Sequence, residues 1–263
     1  MPRSSQLRSL LSLVQLSGFP HPQNLIHLFI GGSELHGAKV GATDDTDLYG
    51  IYIEPPEQAL GLDPLEHFVW STAGDERRNG PDDVDVTLYS LRKWATMAAK
   101  GNATALHFLF AQPQEVEPEF WRSIQASHQV FLSRASAQHF LGFADNQFKR
   151  LTGEKGSGQK GQRPEYIGKF GYDTKAAMHG LRLLCECLEL MVHGRITLPR
   201  PEKELLIEVR GGHWRLEKVL AHAQKIFHEV ETAVKNSPLP EQVDRDAISR
   251  VVAQVHMTFW KKI

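Results

Sequence analysis

The stretch F29-IGGSELHGAKVGATDDTDLYGIYI-E54 decides how this 263-residue chain is read. An apolar run ends in two glycines and a serine. Eleven residues later two aspartates stand one residue apart, and a β-prone run, DLYGIYI, follows. If LIHLFI (25–30) is a buried strand that emerges at Gly31 and Gly32, glycine lets backbone come close to a bulky anion, and Ser33 caps a short helix whose first amides point outward. A phosphate fits such a turn. If DTDLYGIYI is the neighbouring strand, Asp45 and Asp47 project from one face. Paired carboxylates beside a phosphate cradle suit Mg²⁺, which takes oxygen ligands and shares its shell with substrate phosphates.

Two-metal phosphoryl chemistry also needs a carboxylate from another strand. DDVDVTLYS (82–90) offers one. Asp85 is the first choice, inside the alternating run with Thr87 and Tyr89 on its face, and Asp83 shares that phase as the fallback. Other motifs fail on the same letters. A P-loop would need lysine and a hydroxyl after Gly37, where AKV stands, and a calcium loop starting at Asp45 would need glutamate where Pro56 stands. An ordinary turn with a solvated acidic loop would explain any one of these features alone. Strand, glycine-serine turn, gap, aspartate pair and later strand aspartate together point to chemistry.

Outward from this stretch the chain changes rhythm. Up to Gln112, short strands (25–30, 47–53, 84–91) alternate with helical segments such as RKWATMAAK and ATALHFLF, and from Pro113 onward the pattern is helical. The expected class is α+β, with a catalytic domain over 1–112 that includes an N-terminal amphipathic helix carrying Leu7, Leu10, Leu11 and Val14. An all-α domain over 113–263 completes the cleft. Composition is that of a globular protein, 41% hydrophobic and 23% charged, with a net charge of −1 that provides no global field for polyanions. No apolar run approaches bilayer length, so no membrane partner is expected. Cys185 and Cys187, two apart in a helical pattern, point to different sides and read as reduced thiols of a cytoplasmic protein.

In the second half, Tyr172, Lys175, His179, Arg182 and Glu186 fall on one stripe of an ideal helix, with Ala177, Leu181, Leu184 and Leu188 opposite. A solvated face explains such a stripe. It also suits nucleotide binding, with Tyr172 stacking a base and Lys175 first, or Arg182, meeting a triphosphate. The segment TGEKGSGQKGQRPE (152–165) is expected to be a loop, and Lys155, Lys160 and Arg163 are its candidate RNA contacts. The remaining histidines, among them His67, His193 and His222, show no ligand spacing and read as surface or core positions.

These residues resemble the DNA polymerase β superfamily of nucleotidyltransferases. The segments GGSELHGAKVGATDDTDLYGIYIEPPEQALGL, DVTLYSLRKWATMAAKGNATALHFLF and KFGYDTKAAMHGLRLLCECLELMVHGRITLPRPEKELLIEVRGG are similar, in that order, to a bacterial and phage group of predicted nucleotidyltransferases, some associated with RNA-repair ligases. The resemblance covers most of residues 25–220. It implies a polymerase-β-like fold, with Gly32 and Ser33 on the triphosphate and Asp45, Asp47 and Asp85 on Mg²⁺ or Mn²⁺. It further implies an NTP such as ATP as donor, an RNA 3′ end as acceptor and an RNA-repair ligase as partner. Nucleotidylation of a protein or small molecule, or a non-catalytic nucleotide-binding module, are the alternatives. The chain departs from the group at two points: the gap before Asp45 is one residue longer, and His107 stands where the group commonly has glutamate.

Overall fold

The computed structural model describes residues 9–40, 45–74, 80, 82–116, 119–151 and 164–262. Among them, four strands form one mixed sheet: β1 (Leu25–Ile30), β2 (Thr46–Tyr52), β3 (His67–Ser71) and β4 (Val84–Ser90). The sheet order is β1-β2-β4-β3; β1 and β3 run antiparallel to their neighbours, and β2 and β4 are parallel. Helices α1 (Leu10–Leu16), α2 (Gly32–Leu35) and α3 (Pro56–Leu60) accompany the strands. Nine more follow: α4 (Leu91–Ala99), α5 (Ala103–Phe110), α6 (Glu119–Ala126), α7 (Ser136–Leu151), α8 (Pro164–Phe170), α9 (Thr174–His193), α10 (Lys203–Arg210), α11 (Leu216–Asn236) and α12 (Arg245–Lys262). The α+β class is as the sequence led one to expect. Leu7 of the N-terminal amphipathic pattern lies outside the described residues.

The sheet is buried unequally on its two faces. Leu28, Leu48, Tyr52, Val86 and Leu88 meet Val14 of α1 and Phe19 in one apolar cluster. The other face, with Phe29, Tyr49 and Ile51, joins the long helical core that runs from Trp94 and Phe108 to Leu181 and Phe259. One core therefore spans the change of rhythm near residue 112.

Local chemistry sets the helix starts. The Ser90 hydroxyl accepts from the Lys93 amide and begins α4 directly at the end of β4, and Asn102 does the same for α5 through Ala105. Gly101, at φ +74°, makes the tight corner between α4 and α5, where a Cβ would lie 2.6 Å from Ser136 Cα. Asp173 caps α9 by accepting from the Ala176 amide at 3.0 Å, and Gly194 ends it in the left-handed region. Consequently α9 begins at Thr174, and Tyr172 precedes its cap.

Candidate functional site

The turn after β1 is built against β2. Gly31 N–H donates to the Asp47 carbonyl at 2.7 Å, and a Cβ on Gly31 would come within 2.2 Å of the Tyr49 ring. Gly32 has φ +57°, and a Cβ there would sit 2.0 Å from Asp47 Oδ2. Glycine is needed here because the Asp47 carboxylate occupies the space a side chain would take. Gly31 is the residue before α2, and Ser33 lies inside its single turn rather than at its cap, because the chain enters helical backbone one residue earlier.

The parallel pairing of β2 with β4 sets Asp47 directly opposite Asp85. Adjacent strands lie about 4.8 Å apart and paired residues share a face, so these two acids come from sequence positions 38 apart to neighbouring places on one surface. Asp45 sits one residue before β2. Asp83 is engaged elsewhere. Its buried carboxylate accepts from Thr72 Oγ1 at 2.8 Å and from the Gly80 amide at 2.7 Å, closing the β3–β4 connection.

Asp47 and Gly32 line a cavity of about 220 Å³, with Thr104 and His107 of α5 and His179 and Arg182 of α9 on its other walls. A larger hollow of about 530 Å³ between α7 and α11, lined by Arg134, Gln138, Glu231 and Lys235, includes none of the three aspartates. The smaller one brings Asp47 together with His107, His179 and Arg182. Of the residues the sequence singled out, Ser33, Asp45, Asp85 and Lys175 do not line it.

Beneath that cavity lies a buried polar cluster. The Glu186 carboxylate, wholly inaccessible, accepts from Arg182 at 2.9 Å through Oε1, and His107 Nε2 lies 3.0 Å from Oε2. His36 Nδ1 is 3.2 Å from Oε1, while its Nε2 is 2.6 Å from an Arg182 amino group. The geometry assigns His36 as a neutral ring whose Nδ1–H donates to Glu186 and whose Nε2 accepts from Arg182. Burial, then the Arg182 charge, push its pKa down to about 3. Burial by itself would raise the Glu186 carboxyl, but Arg182, His107 and His36 together hold it well below the usual range. One ligand atom each from His36, His107 and Glu186 lies within 4.8 Å of the others, a spacing that can hold a metal ion. Arg182 already supplies a positive charge to this cluster.

Helical periodicity alone sets Glu186 on a stripe that a solvated face would explain. In the fold, His36, just past α2, and His107 of α5 close over Arg182 and Glu186, whose side chains are 11% and 0% exposed, so the solvated-face explanation fails for both. The sequence does not group His36 and His107 with Glu186. The histidine at 107, unusual against the resembling group, is the one signal that points there. The expectation for Tyr172 is corrected: its ring is 3% exposed in the helical core and its hydroxyl donates to the Trp214 carbonyl at 2.8 Å, so it has no face to offer a base. It escapes the helical phase because it precedes the cap. Lys155, Lys160 and Arg163 lie outside the described residues.

Cys187 is buried and Cys185 partly so, and burial raises both thiols, Cys187 to about 12. Among the described residues no helix is long and apolar enough to cross a membrane.

Comparison with known proteins gives three findings. The sequence model of RlaP, described as the RNA repair pathway DNA polymerase beta family, matches residues 7–254. An uncharacterized 38.9 kDa protein of the nrdC-mobD intergenic region of Enterobacteria phage T4 is 30% identical over 130 residues, which are 48% of this chain and 38% of the phage protein. The chain thus spans well under half the length of that relative. A nucleotidyltransferase-like protein from Exiguobacterium sibiricum aligns over 85% of this chain and 72% of its own at 12% identity, with a TM-score of 0.30, too low to carry an inference.

Proposed function

This chain belongs to the RNA repair pathway DNA polymerase beta family, and from that membership we propose that it transfers a nucleoside monophosphate from an NTP to the 3′ hydroxyl of RNA, the 3′ oxygen bonding the α-phosphorus as pyrophosphate leaves. General nucleotidyl transfer is the property of the family; the RNA acceptor, the metal and the residue roles are our reading. The observation that carries it is the pairing of Asp47 with Asp85 across two parallel strands, directly beside a glycine turn whose missing side chain leaves room for the Asp47 carboxylate.

The donor set fits a hard divalent cation such as Mg²⁺ or Mn²⁺. It consists of carboxylate oxygens, and the Gly32 position keeps one of them accessible to the cavity. Asp45, Asp47 and Asp85 would hold the ions. Such ions, when bound, neutralise phosphate charge and favour the ionised form of an acceptor hydroxyl.

The chain's own groups do the rest. Gly32 and Ser33 bring backbone and hydroxyl to the triphosphate from one wall. Arg182, held by Glu186, and His179 approach from the other, and Lys175 stands nearer the helix start. Arg182 presents a planar, permanently charged fork suited to phosphate oxygens, and its position is set before the nucleotide arrives. In this reading Asp85, paired with Asp47 across the strands, accepts the proton from the attacking hydroxyl. In this reading residues 1–112 supply the acids and the glycine turn, and residues 113–263 supply the cationic wall. Asp83, already committed to Thr72 and Gly80, is set aside as the third acid. A partnership with an RNA-repair ligase belongs to the same reading and rests on the pathway in the family description.

The test incubates purified protein with each labelled NTP, Mg²⁺ or Mn²⁺, and RNAs ending in 3′ hydroxyl or 3′ phosphate, alongside Asp47→Asn. We expect metal-dependent label on the 3′-hydroxyl RNA alone, lost in the variant. Label on protein in the absence of RNA would replace the RNA reading with protein nucleotidylation. No transfer to any acceptor would leave a nucleotide-binding module.

A further inference from the structure

On the face that carries Asp47 and Asp85, alternate residues of β4 continue as Thr87 and Tyr89, and the strand pairing sets β3 beside them: Ser71 opposite Asp85, Val69 opposite Thr87, His67 opposite Tyr89. The helical layer covers only part of this face. Phe108 of α5 packs on Phe29, Tyr49 and Tyr89, with ring centroids 4.8, 5.8 and 6.0 Å away. Beyond Tyr89, nothing comparable among the described residues lies on top. The His67 ring is stacked flat on that of Tyr89, 4.6 Å away and 6° from parallel, yet His67 is exposed, as is Val69 at 59%. The intervening residues Phe68 and Trp70 face the other way, into the cluster under α1. So a β3 row with an aromatic and an apolar side chain lies open and leads straight to the acid pair, on the side away from the Arg182 cavity.

We propose that this row is the acceptor shelf, on which His67, backed by Tyr89, stacks a base of a single-stranded RNA tail whose 3′ end reaches Asp85. The proposal rests on the nucleotidyl-transfer reading above. Three features argue for this occupant. The shelf is continuous with the acids through the Ser71–Asp85 pair, and the cavity on the other side of Asp47 is left to the nucleotide. An exposed ring pre-stacked on a second ring is a rigid platform that accepts any base face. Among the described residues, Lys93 and Arg92 near the shelf are both paired with Glu66, at 3.2 and 3.8 Å, so their contribution here is tempered and stacking leads. The four residues from Asp85 to Tyr89 span about 14 Å, the rise of about four stacked nucleotides and fewer in an extended strand. The shelf therefore reads the tail behind the reacting end, and a dinucleotide is too short to reach it.

The experiment compares wild type with His67→Ala and His67→Trp, using RNA acceptors of two and eight nucleotides. Transfer kinetics are read beside fluorescence anisotropy of the 5′-labelled octamer in the absence of NTP. For His67→Ala we expect about a tenfold weaker octamer KM and binding, an unchanged dinucleotide KM and an unchanged NTP KM; His67→Trp should restore the octamer. Equal octamer binding by wild type and His67→Ala overturns the shelf even if transfer to RNA is confirmed. Loss of octamer binding in His67→Ala, with no transfer to any RNA, keeps the shelf and overturns the transfer reading. Preference for a blunt duplex, bound equally by His67→Ala, overturns the single-stranded occupant.

Discussion

Replacing Gly32 by alanine separates the fold's need for glycine from the site's. The residue sits at φ +57°, where an L side chain costs about 1–2 kcal/mol of backbone strain. For a chain of this size that lowers the melting temperature by about 2–8 °C. The new methyl would also stand 2.0 Å from Asp47 Oδ2, so the carboxylate has to retreat by more than an ångström to reach ordinary contact. Misplacing a reacting group by that much costs about 10²-fold in rate. Gly18→Ala is the matched control: φ is +76° and a Cβ there meets nothing within 4 Å, so it carries the strain without the clash. Thermal melts and initial rates of nucleotide incorporation should show similar melting losses for the two variants, with activity falling about a hundredfold in Gly32→Ala alone. A Gly32→Ala enzyme within about threefold of wild type would refute the placement of Asp47 in the chemistry. Equal activity losses in both variants would show that strain, and not the carboxylate, governs the effect.

Glu186→Gln leaves the Arg182 guanidinium buried without its counter-charge, a loss of about 3–5 kcal/mol in chemical denaturation, accompanied by a raised NTP KM; an unchanged KM with that loss would show the cluster to be purely structural. The two third-strand acids should part company: Asp85→Asn abolishes transfer with a near-normal melt, whereas Asp83→Asn lowers the melting temperature through Thr72 and Gly80 and retains most activity, and the reverse pattern would exchange their roles. Stability should also fall in mild acid. His27 and His36 are both pushed down to about 3, chiefly by burial, so below about pH 6.5 the unfolded chain takes up protons the native one refuses. Each histidine then costs up to about 1.4 kcal/mol per pH unit between those values. Glu186, held low in the fold, is stabilising above the unfolded carboxyl range and loses that contribution as pH falls through its native value. Urea midpoints at pH 7 and pH 5 that coincide would contradict the neutral, buried state assigned to both rings.

Legibility follows sequence distance. β1, β2 and β4 can be read because each is an apolar or alternating run closed by glycine, aspartate or serine, and the turn at Gly31–Ser33 can be read because every residue that shapes it lies within the same thirty letters. β3 escapes such a reading: HFVWS is five residues long, and its pattern puts His67 and Val69 in solvent, so it resembles a loop with two aromatics. In the site, the aspartate pair is local and legible, while Glu186 is not. Arg182 and Glu186 at i,i+4 look like a surface ion pair on any helix, and only the arrival of His36 from just past α2 and His107 from α5, 79 or more residues away in the chain, turns them into a buried cluster. Tyr172 fails for the opposite reason: its periodicity extends one residue past the cap Asp173, two before the first helical residue Thr174. The departure at position 107 takes its meaning from the same cluster. Histidine there can donate to Glu186, whereas a glutamate would set a second carboxylate beside the first, with Arg182 as the one fixed positive charge for both.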